Sequence, residues 1–308
     1  MSDATHPSLT LRCPRFELPL GGRTYVMGIV NLTTDSFSGD GVGRDVDAAV
    51  GRARRLVAEG ADIVDIGAES ARADVPVADP RDEVAVIVPV VERLTRETDA
   101  LISVDTYKPE VAEAALRAGA HIVNDIGGFK HGTGTAEVAA RQGAALVLNY
   151  TYERPKIRPA ARPVYADLIG EHLAFLEERI RMAVAAGLPE DALIVDPGIA
   201  FGKSHDEDLE VLRRLDEFCA LGRPLLLAGS RKHVIGAVLG LPPQERLEGT
   251  AAVVALAVAK GADIVRVHDV RAMSRVARMA DAIVRGRLGD FAPGEGSWPW
   301  PAGVEPFV

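Results

Sequence analysis

The chain has 308 residues, with 35 Lys and Arg against 44 Asp and Glu, a formal charge of −9. At roughly 150 residues per domain this length allows one domain or two, and the acidic balance excludes a broad electrostatic grip on nucleic acid or anionic lipid. Hydrophobic residues at 47% and charged residues at 26% exclude a disordered chain. Cys13 and Cys219 are too few for a disulfide framework or a four-thiolate zinc site, and read as buried small side chains in a reducing compartment. The N-terminal segment has no basic stretch followed by an apolar one, and no apolar run reaches the roughly 18 residues of a membrane helix, so a soluble cytoplasmic protein is expected.

In chain order, residues 8–23 read as a short hairpin. Short β-branched, apolar runs then alternate with longer amphipathic ones. Strands are predicted at 24–30, 62–66, 101–104, 120–124, 144–148, 192–195, 223–228 and 262–267, and helical periodicity covers, among others, 45–59, 80–98, 109–118, 165–187 and 270–285. Pro109 stands where a first-turn proline is tolerated, and Gly119 supplies a stop. Eight strands with helical connections form an α/β fold, a (β/α)₈ TIM barrel more readily than an open sheet, although counting strands does not establish closure. On this reading residues 1–285 are one barrel domain, with 1–23 as a plug at its amino end. Residues 286–308, with Trp298 and Trp300, are an extended tail.

Active sites of such barrels gather at the carboxyl ends of the strands. Found there are Asn31, Asp65 with Glu69, Asp105, Asn124, Asn149, Asp196, Ser230 with Arg231 and Lys232, and Arg266 with His268 and Asp269. Asp105, Asn124 and Asp196 offer acceptors and donors suited to a flat heterocycle with N–H groups beside a carbonyl, guanine-like or pterin-like. For Asp105 alone a helix cap ahead of Pro109 is the simpler role; the three together favour a ligand. Arg72, Lys203, Arg231, Lys232, Arg266 and His268 form a basic cluster that, in a chain of charge −9, marks a phosphate or pyrophosphate site. The long loop after Asn31 carries Phe37 at its middle and reads as a lid that closes an aromatic ring over a substrate. The Asn31 amide oxygen can help hold Mg²⁺ bridged to a pyrophosphate.

Seven segments resemble the dihydropteroate synthase family: MGIVNLTTDSFSGDG (27–41), ADIVDIGAESAR (61–72), ISVDTYKPEVAEAALRAGAHIVNDIGG (102–128), DPGIAFGK (196–203), GSRKHVIGAVLG (229–240), ERLEGT (245–250) and IVRVHDV (264–270). The resemblance covers about 22–285 and implies the barrel fold. It also implies an alkyl-group transferase of folate biosynthesis, which condenses 6-hydroxymethyl-7,8-dihydropterin pyrophosphate with 4-aminobenzoate to give dihydropteroate and pyrophosphate. By resemblance Asp105, Asn124, Asp196, Lys232 and Arg266 hold the pterin, and Asn31, Arg72, Arg266 and His268 surround the pyrophosphate and its Mg²⁺. Phe37, Phe201, Ser230 and Lys232 face the aminobenzoate. Asp105, Lys232 and Arg266 would carry catalysis, and a homodimer is implied.

The sequence departs from the family pattern on the aminobenzoate side. Thr34 replaces a proline, Ala71 and Ala73 replace the threonine and proline of the second loop, and His233 follows Ser230-Arg231-Lys232 in place of serine. Asn149-Tyr150-Thr151 stands for Met-His-Met, and Ala200 for a usual glycine. These changes imply a roomier aminobenzoate pocket and reduced sensitivity to sulfonamides. Two alternatives stay open: a methyltransferase that moves a methyl group from a methylated folate to a corrinoid protein, and a pterin-binding protein without turnover.

Overall fold

The computed structural model describes residues 9–33, 41–70, 75–157 and 163–286. Its elements run β1 (Thr10–Cys13), β2 (Phe16–Pro19), β3 (Tyr25–Asn31), α1 (Val46–Ala58), β4 (Ile63–Gly67), α2 (Pro80–Glu97), β5 (Leu101–Asp105) and α3 (Pro109–Arg117). These are followed by β6 (Ile122–Asp125), α4 (Gly134–Gln142), β7 (Ala145–Asn149), α5 (Leu168–Ala185), β8 (Leu193–Asp196) and α6 (His205–Arg213). Last come β9 (Leu226–Leu227), α7 (His233–Leu239), α8 (Leu247–Ala259), β10 (Ile264–Val267) and α9 (Val270–Arg285).

Strands β3 to β10 form one parallel sheet in the order β8-β7-β6-β5-β4-β3-β10-β9. It closes where Val195 of β8 bridges Leu225 in parallel sense and donates its N–H to the Pro224 carbonyl at 2.9 Å. The strands are buried on both faces, which is why they read as near-continuous apolar runs. Each predicted strand is present. The run at 223–228 narrows to Leu226–Leu227: Pro224 has no N–H to pair, and the Leu225 N–H goes to the Asp263 carboxylate at 3.0 Å.

Local chemistry sets the helix ends. Asp45, Asp79 and Asp167 each accept a first-turn N–H, and Ser204 with Glu207 makes a reciprocal capping box before α6. Pro109 opens α3, and Gly119 follows its end in the left-handed region at φ +114°. Helix α8 is alanine and valine nearly all round, so it lacks the polar face that marks an amphipathic segment.

The predicted hairpin is the antiparallel pair β1–β2. Arg15 donates to the carbonyls of Ala120 and Gln142 at 2.9 and 2.8 Å, just ahead of β6 and β7, and Leu11 is fully buried, so the hairpin lies against the amino end of the barrel. No helix of the described residues is long and apolar enough to cross a membrane. The tail with Trp298 and Trp300 lies outside the described residues.

Candidate active site

The parallel register places Asp105 of β5 directly beside Asn124 of β6 and Gly67 of β4. Two residues before Gly67, Asp65 is fully buried inside the barrel. Arg266 of β10 reaches both acids, with Nε on Asp65 Oδ2 at 2.6 Å and a terminal nitrogen on Asp105 Oδ2 at 2.8 Å. Asn124 Nδ2 also donates to Asp65 Oδ2, at 3.1 Å, while Asp65 Oδ1 meets no donor among the described residues. Asp105 is therefore not a helix cap; its carboxylate shares one guanidinium with a second acid. Burial lifts its pKa, the Arg266 charge opposes the rise, and Asp65 adds to it.

Across the barrel Asp196 ends β8 and accepts the Gly198 N–H at 2.7 Å, and burial pushes its pKa to about 6. Lys232, just before α7, points its ammonium at the Phe201 ring, 4.9 Å from the centroid, and burial followed by the Arg266 charge lowers its pKa. Ser230 Oγ meets His268 Nδ1 at 3.0 Å and accepts the His268 N–H at 3.2 Å, which ties the ends of β9 and β10 together. These residues, with Asp105, Asn124 and Arg266, form one polar floor at the carboxyl end.

Two members of the basic cluster are engaged elsewhere. Arg231, at φ +57°, forms a fork with Asp269 at 2.9 and 2.6 Å. Lys203 donates to the carbonyls of Pro197 and Gly198, the former at 3.4 Å. Sequence alone gives each a charge near the right strand end, and only the folded chain shows where that charge is used.

Residues Gly198–Phe201 make a tight turn: the Phe201 N–H donates to the Gly198 carbonyl at 3.1 Å, and the third residue, Ala200, has φ +74°. A positive φ there suits glycine and costs a residue with a side chain about 1 kcal/mol. The buried carboxylate of Asp208 takes the Ala200 N–H at 2.8 Å and holds it in place. Beneath the turn Tyr150 stacks on His172, with ring centroids 3.5 Å apart, and its hydroxyl pairs with that of Tyr165 at 3.1 Å.

A cleft of about 160 Å³ opens beside Asp105, lined among others by Glu69, Tyr107, Thr151 and Phe201. At its edge Lys108 binds Glu69 at 2.7 Å, Glu83, and the Ala78 carbonyl at 2.7 Å, and Tyr107 donates to Glu69 at 2.7 Å. Asn31 ends β3 beside Gly67, and its carbonyl accepts the Val42 N–H at 2.9 Å. Phe37 and Arg72, with Thr34, Ala71 and Ala73, lie outside the described residues. Asp65 is the member that the sequence pointed to without assigning: an acid inside an apolar strand has to be paired or functional. Glu83 and Lys108 carried no such signal, because each sits in a polar-rich stretch.

The family described as "Pterin binding enzyme" matches residues 27–268. The dihydropteroate synthase of Bacillus subtilis strain 168 is 46% identical over 262 residues, covering 85% of this chain and 89% of that one. The chain belongs to the dihydropteroate synthase family. The Yersinia pestis dihydropteroate synthase crystallised with a sulfonamide drug is similar at 36% identity and a TM-score of 0.85, over 91% of this chain and all of that one. That of Thermus thermophilus in complex with 4-aminobenzoate is similar at 40% identity and a TM-score of 0.78, over 89% of this chain and 99% of that one. Among the described departures from the dihydropteroate synthase pattern, Ala200 lies in the Gly198–Phe201 turn and the Tyr150 carbonyl packs against its Gly198. Both belong to the support of one turn.

Proposed function

We propose that this chain is a dihydropteroate synthase, condensing 6-hydroxymethyl-7,8-dihydropterin pyrophosphate with 4-aminobenzoate to give dihydropteroate and pyrophosphate. The observation that carries the reading is the Asp65–Arg266–Asp105 relay, set with Asn124, Asp196 and Lys232 in one floor. Buried carboxylates opposite an amide and an ammonium match a flat ring that presents N–H donors beside a carbonyl. Asp196 and Asn124 hold that edge, and Lys232 donates to the ring from the side of Phe201. Asp105, kept in a dry site, stabilises positive charge that grows on the pterin methylene as its bond to pyrophosphate breaks. The aryl amine then forms the new C–N bond from the side of Phe201 and Ser230 and gives up a proton, with Phe37 a further aromatic contact to it in this reading.

Asn31, Arg72, Arg266 and His268 receive the leaving group. Asn31 offers a hard, neutral oxygen, the donor type for an ion carried mainly by phosphate oxygens and water, so Mg²⁺ fits there. Asn31 would help hold the ion, and Mg²⁺ when bound would supply charge neutralisation for the leaving pyrophosphate. Residues 1–285 act as one cytoplasmic domain. The homodimer of this reading is supported by exposed apolar side chains on α7, α8 and α9, where Val238, Leu256, Met279 and Ile283 are 57–70% exposed.

The test is pyrophosphate release from the pterin pyrophosphate with and without 4-aminobenzoate and Mg²⁺. Release that depends on 4-aminobenzoate is expected. Pterin binding with no such release would favour the non-catalytic reading, and methyl transfer from a methylated folate would favour the methyltransferase.

A further inference from the structure

The turn that delivers Phe201 has to be held in an unfavourable backbone conformation, and its support comes from a lysine. The Gly198 carbonyl that closes the turn accepts from the Phe201 N–H at 3.1 Å and also from the ammonium of Lys203. The same ammonium reaches the Pro197 carbonyl at 3.4 Å and lies 4.6 Å from the centroid of the Tyr150 ring. Tyr150 is itself fixed by its stack on His172 and by its N–H on the Asp196 carbonyl at 2.9 Å. The turn lies close against the segment after β7: a Cβ on Gly198 would stand 2.0 Å from the Tyr150 carbonyl oxygen, and one on Gly202 would stand 2.4 Å from the Cβ of Tyr152. Strained φ values persist only where their surroundings over-determine them. Here Asp208 holds the Ala200 N–H and Lys203 holds the carbonyl side.

We propose that Lys203 is a positioning residue for the second substrate: clamped between the Pro197 and Gly198 carbonyls and the Tyr150 ring, it locks the turn that sets Phe201 against Lys232. The proposal rests on the reading that Phe201 faces 4-aminobenzoate. The Lys203 ammonium sits on backbone carbonyls of the turn, so its removal acts first on how Phe201 meets the aminobenzoate, and reaches the pterin floor only through its charge near Asp196.

Protonation gives a readout that a purely structural lysine would not. Burial lowers the pKa of Lys203 to about 8. The groups that face it are Asp196 on β8, Asp208 and Glu207 on α6, Lys232 before α7, His172 on α5 and Tyr150 after β7. Above that pH the amine loses its charge, so its bonds to the two carbonyls lose their charge assistance and its attraction to the ring falls away.

The experiment is steady-state kinetics on the full chain from pH 7 to 9, for wild type, Lys203→Met, Lys203→Arg and the double variant Lys203→Met with Ala200→Gly. Wild-type KM for 4-aminobenzoate is expected to rise between pH 7 and 9, and that rise to flatten in Lys203→Arg, whose charge persists. Lys203→Met should raise this KM at pH 7 about tenfold, with KM for the pterin pyrophosphate and kcat within about twofold. In the double variant glycine accepts the positive φ without strain, so part of the loss should return. Unchanged KM for 4-aminobenzoate in a folded Lys203→Met enzyme would overturn the proposal, as would equal losses in both KM values and kcat. Should Lys203→Met not fold, an identical pH profile in wild type and Lys203→Arg would overturn it. A wild type without 4-aminobenzoate-dependent release would instead overturn the parent reading.

Discussion

At the amino end of the barrel, Asp281 of α9 is almost wholly buried, yet both its oxygens are filled: by the Thr24 N–H at 2.7 Å, the Thr24 hydroxyl at 2.9 Å and Arg285 at 3.0 Å. At the carboxyl end Asp65 is equally buried, and one of its oxygens meets no donor among the described residues. The same contrast runs through the neighbours. Asp62, near the start of β4, takes a fork from Arg23 at 3.0 and 2.6 Å and the Val26 N–H at 2.9 Å, whereas Asp105 and Asp196 are held above their ordinary pKa by burial. A buried acid with full partners ties elements together. One left partly short keeps a bonding capacity that a ligand can fill, and that capacity is held at a cost in stability. The amino end is therefore built for cohesion and the carboxyl end for chemistry.

The largest effect that sharpens the contrast should come from the carboxyl end. Asp105→Ala and Lys232→Ala are each expected to lower kcat on the order of 10³-fold, while thermal unfolding stays cooperative and near that of wild type. Pyrophosphate release and calorimetry on the same samples check both halves. A variant that lost its fold along with its turnover would break the comparison.

The opposite pattern is expected of Leu11→Ala in the hairpin. Leu11 is fully buried, so the substitution should cost about 2–5 kcal/mol of stability in denaturant unfolding, with kcat/KM unchanged in the protein that remains folded.

A smaller effect follows from Asp196. Its pKa of about 6 lies above the ordinary 3.8, so its carboxylate is an acceptor at pH 7 and is about nine-tenths protonated at pH 5. KM for the pterin pyrophosphate should rise about tenfold over that interval, and titrating the free protein should show the reverse trend in stability. A raised carboxyl favours the folded state fully below its unfolded value near 3.8, and that contribution is lost as pH rises to about 6. Binding and stability thus move in opposite directions through one group. Asp196→Asn, which cannot ionise, should flatten both curves.

The smallest effect concerns His233, which begins α7 where the family pattern has serine. His233→Ser is expected to tighten sulfonamide inhibition a few-fold, about 1 kcal/mol or less. No change in the inhibition constant would assign the departure to another position.

Much of this was legible in the residues. The strands were readable because those buried on both faces are nearly continuous apolar runs, and helix α9 begins and ends at the predicted residues because its apolar stripe is uninterrupted. Helices α4, α6 and α7 were not singled out, since nine residues or fewer give the period little room to repeat and, unlike the equally short α3, none is bounded by a first-turn proline and a glycine stop, and α8 has no polar face to define one. In the site, Asp105, Asn124, Asp196, Lys232 and Arg266 were legible because polar residues at the ends of apolar strands have few other uses. The engagement of Arg231 by Asp269 was not legible: the partner lies 38 residues away and becomes a neighbour only when β9 and β10 align. Nor was the strain at Ala200, because a positive φ belongs to the folded turn and not to the residue type.

The barrel is a hoop fastened at one narrow joint. Between β8 and the chain entering β9, a lone bridge at Val195 and Leu225 closes a circle that elsewhere is laced by longer ladders. Asp196 stands on one side of that joint and Lys232 on the other. A ring that accepts from Lys232 and donates to Asp196 spans the seam from above, so to bind it is also to clasp the hoop.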